Sequence, residues 1–258
     1  MLARITALVY GAFCYLVFFA TFVYGVGFIG NIVVPKSMDS GRVTSVAEAI
    51  AVDTALLALF AIQHSVMARQ WFKRAWTAII PAVAERSTYV LFSSVCLALL
   101  FWHWRPIGGT IWQVDNSMGR AVLYFLYAAG WAILLISTFL TSHFDLFGLR
   151  QVWIRFRNRP YEPVGFRSRG FYKLVRHPLY VGWLFTFWFT PNMTAAHLVF
   201  SIATTAYILI AIQLEERDLI AAHGEAYLRY REEVPMLMPK ASRMLGIEWE
   251  PAPATKPE

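Results

Sequence analysis

The chain has 258 residues, of which 58% are hydrophobic and only 15% charged, and its mean hydropathy is +0.49. Soluble globular domains carry about 25% charge, so this composition cannot clothe a soluble core in polar surface, and lipid is the solvent it implies. The net charge of +7 does not point to nucleic acid, because the Lys and Arg residues fall in loops between apolar runs and no aromatic-basic strip accompanies them.

A membrane-spanning helix takes about 20 apolar residues. The first candidate covers residues 5–32, is too long for the apolar core of a signal peptide, and ends at Asn31, Pro35 and the polar run to Arg42. The second covers 46–67. The third covers 87–104 and is closed by Arg105-Pro106 and Gly108-Gly109; the fourth covers 118–141. A polar connector follows. From 179 to 214 the chain is apolar again, except at Pro191-Asn192, where proline breaks the backbone ladder and asparagine favours a turn. A helical hairpin is expected there, with a first arm too short to cross unaided. The last residues, 250–258, are rich in Pro, Ala and charge and are expected to be disordered.

The expected fold is therefore an all-α polytopic membrane bundle of about five spans. It divides into a four-helix region (1–141), a basic connector (142–178), and a hairpin with a C-terminal tail (179–258). Loop 69–86 carries Arg69, Lys73, Arg74 and Arg86 against Glu85. The connector carries Arg150, Arg155, Arg157, Arg159, Arg167, Arg169, Lys173 and Arg176 against Asp145 and Glu162. The positive-inside rule puts these loops and both termini in the cytoplasm. Trp102, Trp104 and Trp112 are expected to form an aromatic belt at the other interface. Cys14 and Cys96 lie inside apolar runs and read as small buried hydrophobes. Without Cys pairs or an HExxH pattern, no metal is expected.

Three polar clusters stand out. Arg176-His177-Pro178-Leu179-Tyr180-Val181-Gly182 opens the hairpin. Pro178 suits a first helical turn, and uncapped amides beside Arg176 and His177 would bind an anion such as a carboxylate; headgroup anchoring is the alternative. Glu215-Glu216-Arg217-Asp218 closes the hairpin, at the wrong end of a helix for acids, which calls for a cationic partner, either an Arg or a ligand. Tyr227 and Tyr230, after His223-Gly224-Glu225, share a face of a short helix and either cover a ligand or pack on the membrane surface. The hairpin sets a cationic and an anionic mouth side by side, which suits a zwitterionic cofactor.

The run RHPLYVG, hairpin, EERD, HGEAYLRY and the later prolines resembles the integral-membrane methyltransferases typified by isoprenylcysteine carboxyl methyltransferase. In that family the region holds S-adenosylmethionine. The resemblance implies cofactor roles for Arg176, His177, Pro178, Tyr180, Gly182, Glu215 and Glu216, with Tyr227 and Tyr230 covering the cofactor. Upstream, Gln63-His64-Ser65-Val66-Met67-Ala68-Arg69, Glu85-Arg86-Ser87-Thr88-Tyr89 and the run from Thr141 through His143 and Asp145 to Gln151 resemble the bacterial methanethiol S-methyltransferases. That resemblance spans nearly the whole chain. It implies methylation of methanethiol to dimethyl sulfide, a small volatile thiol as substrate and the bacterial inner membrane as location. No protein partner is implied.

Methyl transfer to a thiol needs the thiolate, and an alkanethiol is a weaker acid than cysteine, so a base or a positive potential must help. His64, His143, Asp145 and Gln151 are the expected catalytic constellation, Asp145 orienting an imidazole or taking the proton itself; Tyr89 and Ser142 are weaker candidates. The alternative for each His is a structural hydrogen bond. Glu85 and Arg86 read as a structural pair, and Phe144, Phe147 and Trp183 as pocket walls. Rival readings are a methyltransferase for a larger lipophilic thiol, carboxyl or phospholipid substrate, a haem protein using His64 and His143 across the bundle, and a transporter with broken helices.

Overall fold

A computed structural model describes residues 1–165 and 168–240; the tail expected to be disordered lies outside them. Helix α1 (Leu2–Gly30) ends where Asn31 turns left-handed (φ 53) and returns its N–H to the Gly27 carbonyl, a standard way to close a helix. Helix α2 (Val46–Ala68) starts at Ser45, whose side chain accepts the Glu48 N–H. Helix α4 (Ala82–His103) follows Pro81. Helix α5 (Ser117–Thr141) is capped by Asn116, and α9 (Ala195–His223) by Thr194. These five are the helices among the described residues long and apolar enough to cross a membrane.

Helix α8 (Pro178–Trp188) is the hairpin's first arm. Its eleven residues rise about 16 Å, roughly half of a hydrocarbon core of about 30 Å. The hairpin bend carries a feature that the sequence pattern did not predict. Strand β2 (Asn192–Thr194) pairs antiparallel with β1 (Thr110–Gln113) from the loop after α4, aligning Trp112 with Met193. The two strands are short and some 80 residues apart in the chain, so no local periodicity announces them. The connector also contains structure: α6 (His143–Leu146), α7 (Leu149–Phe156) and a 3-10 turn (Gly170–Lys173). The remaining short helices are α3 (Gln70–Trp76) and α10 (Glu225–Glu233).

Helix α8 lies tightly on α5. A Cβ on Gly182 would stand 2.8 Å from the Gly130 carbonyl oxygen, and one on Gly130 would stand 2.8 Å from the Gly182 carbonyl oxygen. Paired small residues let two membrane helices approach to backbone contact. Gly182 thus has a packing reason of its own, beside the cofactor role implied for it. Phe28, Leu100, Trp104, Trp131, Phe187, Phe200 and Ile212 form the apolar centre. Trp104 belongs here, buried against Phe28 and Phe200, and not in an aromatic belt. Trp102 is exposed, while Trp112 donates to the Thr190 carbonyl, 3.1 Å.

The end of the bundle bearing the ribbon is tied by long-range polar contacts. Asp53 accepts the Arg105 N–H (2.8 Å), Lys36 donates to the Trp104 carbonyl (2.7 Å), and Thr194 donates to Asp39 (2.5 Å). The opposite end, where α8 begins and α9 finishes, brings Arg176, His177, Glu215 and Glu216 together with Tyr180.

Candidate active site

The hairpin mouth is built by chain pairing. Arg176 N–H donates to the Pro235 carbonyl (2.8 Å) and His177 N–H to that of Met236 (3.2 Å), so the segment after α10 runs beside the start of α8. Pro178 opens α8 as expected. The Tyr180 and Val181 amides both reach the His177 carbonyl, and Pro178 has none. The expected bank of free amides is therefore mostly taken, leaving the mouth's electrostatics to side chains.

Those side chains converge. Arg176 Nε donates to Glu216 Oε1 at 2.7 Å, and His177 Nε2 lies 3.1 Å from the same oxygen. An ionised carboxylate only accepts, so His177 Nε2 carries the proton in that contact. The Arg176 and Glu216 side chains are 11% and 8% exposed. Arg176 Nη1 also donates to the carbonyls of Arg231 (2.9 Å) and Val234 (2.6 Å). The two mouths lie side by side as the sequence implied, but Arg176 and Glu216 answer each other. Breaking a buried pair of this kind strands a charge at a cost of about 3–5 kcal/mol.

The outward groups are those beside the pair. Glu215 is 46% exposed, with His177 Nδ1 3.7 Å from its Oε2, and the Tyr180 hydroxyl interacts with its carboxylate. Arg231, 47% exposed, lies 3.9 Å from Glu216; sequence reasoning passed over it. Tyr227 and Tyr230 share a face, ring centroids 5.8 Å apart, and both are buried with Val234. Tyr230 donates to the Tyr172 carbonyl at 2.6 Å. Burial holds the Tyr227 hydroxyl well above the ordinary phenol range, so it stays neutral. An open groove of about 480 Å³ runs past Ser168, Lys173, Arg229, Tyr230 and Glu233.

The expected catalytic constellation divides. His64 lies against Tyr89, whose hydroxyl is 2.9 Å from Nε2 and 3.1 Å from Nδ1, and against Ser93, 3.2 Å from Nδ1. His143 lies elsewhere, between Tyr15 (Nε2, 2.9 Å) and Thr138 (Nδ1, 2.8 Å). It stacks on Phe139 with centroids 4.2 Å apart and takes the edges of Phe144 and Phe147. His64 and His143 thus have separate hydrogen-bond partners, and no hydrogen bond joins the two imidazoles among the described residues. Asp145 does not orient His143; it binds Arg150 (2.9 Å) and the Tyr161 hydroxyl (3.0 Å). Gln151 Nε2 donates to the Asp145 carbonyl (3.0 Å), which makes that pair a brace between α6 and α7. Arg86 does not pair with Glu85 within 4.0 Å among the described residues. Its guanidinium instead lies 5.6 Å from the centre of the Tyr89 ring. Trp183 packs on Trp131, away from Phe144 and Phe147.

Tyr207, Ser93 and Tyr15 were not singled out in the sequence. Each sits inside an apolar run, where only its partner gives it meaning. Tyr207 reaches Ser65 at 3.1 Å, joining α9 to α2 beside His64.

Five lipid-spanning helices with a charged, aromatic-walled mouth at one end define a multi-pass membrane protein whose polar chemistry is gathered at that end. The chain is 59% identical over 238 residues to the methanethiol S-methyltransferase of Crocosphaera subtropica, covering 92% of this chain and 93% of that one. It is 50% identical over 236 residues to the methanethiol S-methyltransferase of Mycobacterium tuberculosis (92% and 97%). It is 49% identical over 259 residues, the full length of both, to methanethiol S-methyltransferase 2 of Bradyrhizobium diazoefficiens. No family model matches the chain, and no solved structure does. The chain belongs to the methanethiol S-methyltransferase family.

Proposed function

We propose that this protein methylates methanethiol to dimethyl sulfide, with S-adenosylmethionine as the methyl donor bound at the junction of α8 and α9. The substrate rests on full-length similarity to relatives of that name. The donor rests on the junction, where the outward Glu215 and Arg231 flank the buried Arg176–Glu216 pair. The residues fit the group. Glu215 offers an acceptor for an ammonium or a ribose hydroxyl, and Arg231 a cation for a carboxylate. Tyr180 offers a ring that attracts a sulfonium. Arg176, His177 and Glu216 hold these side chains in place, with Tyr227 and Tyr230 walling the tail. The donor's sulfonium supplies an electrophilic methyl, and the protein's part is to position it against the thiol, a contribution of up to about 7–11 kcal/mol for well-oriented reactants.

The basic loops orient the mouth toward the cytoplasm, with both termini inside and the small apolar thiol and thioether exchanging through the bilayer. The test is detergent-purified protein with S-adenosylmethionine and methanethiol, dimethyl sulfide being read in the headspace by gas chromatography and donor affinity by calorimetry. Dimethyl sulfide is expected from the wild type. Glu216→Ala is expected to weaken donor binding about 100-fold or more, because about 3 kcal/mol of stranded charge disorders the mouth. Donor binding without product overturns the thiol; absence of both overturns the donor.

A further inference from the structure

The two buried histidines are hydrogen-bonded alike. The Ser93 hydroxyl has one proton, which it donates to the Tyr89 carbonyl at 2.9 Å. It must therefore accept from His64, so Nδ1 carries the imidazole proton and Nε2 is the bare nitrogen; the Tyr89 hydroxyl stands 2.9 Å from Nε2, to which it donates, and 3.1 Å from Nδ1. Thr138 gives its proton to the Leu135 carbonyl (2.6 Å) and so accepts from His143 Nδ1, which leaves Nε2 to accept from Tyr15. A hydroxyl feeding a bare imidazole nitrogen, with the other nitrogen fixed by an oriented acceptor, is the arrangement of a general base.

Their surroundings separate them. His143 is enclosed by aromatic rings, and burial alone acts on its charge. The groups facing the Tyr89–His64 pair come from every helix packed there. They are Arg86 on the same helix, Arg69 at the end of α2 with its ion-pair partner Asp218 (3.0 Å), Lys73 of α3 beside those two arginines, and Tyr207 and Glu215 on α9. Tyr180 of α8 interacts with Glu215 and feels both Tyr89 and Tyr207. The Ser65–Tyr207 bond (3.1 Å) and the Arg69–Asp218 ion pair (3.0 Å) tie this end of α2 to the end of α9 that carries Glu215, so the pair adjoins the junction assigned to the donor, with the Arg86 guanidinium over the Tyr89 ring.

We infer that the Tyr89 hydroxyl and His64 Nε2 form the relay that takes the proton from the substrate thiol, with Arg86 favouring the thiolate and Ser93 positioning the imidazole. This rests on the reading of the protein as a thiol methyltransferase. The thiol proton passes to the Tyr89 oxygen as the Tyr89 proton passes to Nε2. The sulfur lone pair forms the new S–C bond to the donor methyl, and the C–S⁺ bond breaks with its electron pair returning to the donor sulfur, leaving a neutral thioether. The imidazolium then releases its proton to water.

The test takes wild type, Tyr89→Phe and Ser93→Ala, each first checked for folding by size exclusion and for donor affinity by calorimetry. Tyr89→Phe is expected to keep donor affinity within about twofold and to lose about 100-fold in kcat/KM for methanethiol at pH 7, the usual worth of positioned proton transfer. Its rate then rises about tenfold per pH unit, because only thiolate already formed in water reacts. Wild type instead varies less steeply with pH over the same range, because the relay and not the medium takes the thiol proton. Ser93→Ala, the fallback if Tyr89→Phe does not fold, shows a smaller loss with the same pH shape. In protein without substrates, nitrogen-15 shifts of labelled histidine are expected to show His64 protonated at Nδ1 and bare at Nε2, a state that Ser93→Ala disturbs. A Tyr89→Phe enzyme with wild-type kcat/KM and pH profile overturns the relay, as does a His64 protonated at Nε2. Failure of the wild type to bind donor or to make dimethyl sulfide instead overturns the functional reading beneath it.

Discussion

His143 sits just beyond α5 with the rings of Tyr15, Phe139, Phe144 and Phe147 around it. Burial lowers its pKa from the ordinary histidine value. The folded state thus prefers the neutral ring, and the unfolded chain binds more protons near and below pH 6.5. The stability this residue contributes is complete above that pH and is lost as pH falls through it. His143→Asn is therefore expected to melt below wild type at pH 8, with a gap that narrows by pH 5, measured by thermal unfolding in detergent. A gap constant across that range would show that the imidazole's charge is not what links it to the fold.

At the scale of elements, the contact of α8 with α5 is the most demanding in the hairpin. Gly182→Ala puts a methyl 2.8 Å from a backbone carbonyl oxygen and 2.8 Å from the Leu134 nitrogen, atoms that move only with the helix. A loss of about 1–3 kcal/mol is expected, read as a lower melting temperature together with weaker donor binding, since α8 carries His177 and Tyr180. Unchanged melting would mean that α8 is free to shift on α5. The Arg176 bonds to the carbonyls of Arg231 and Val234 act at the same scale. They fasten the last turn and C-cap of α10 to the hairpin, so the mouth is completed by residues more than 50 positions from its start.

For the whole molecule, the proposed orientation follows from where the bases lie. Val33, wholly exposed in the loop after α1, is on the end away from the mouth, and Arg157 is exposed in the basic connector after α7. With Cys14 and Cys96 buried, single cysteines at these sites report sidedness. Val33→Cys is expected to react with an impermeant maleimide in intact cells, and Arg157→Cys only after lysis. The reverse pattern would invert the topology and set the donor site outside the cell's donor supply.

The length of an apolar run is local information, and it located all five crossing helices, with starts at Val46 and Ser117 within a residue of those expected. The short arm and its break at Pro191 were legible for the same reason: proline and asparagine act on their own backbone. Clusters within a few residues, such as Arg176-His177 and Glu215-Glu216, marked the mouth, because a charge in an apolar segment needs a partner wherever it lies. Which partner it finds is a matter of distance in space. That Arg176 takes Glu216, that His64 takes Tyr89 and Ser93 while His143 takes Tyr15 and Thr138, and that Asp145 takes Arg150 were decided by helix packing. Those contacts bridge up to 128 residues of chain, and a hydrogen bond acts over about 3 Å, so only the tertiary structure could assign them.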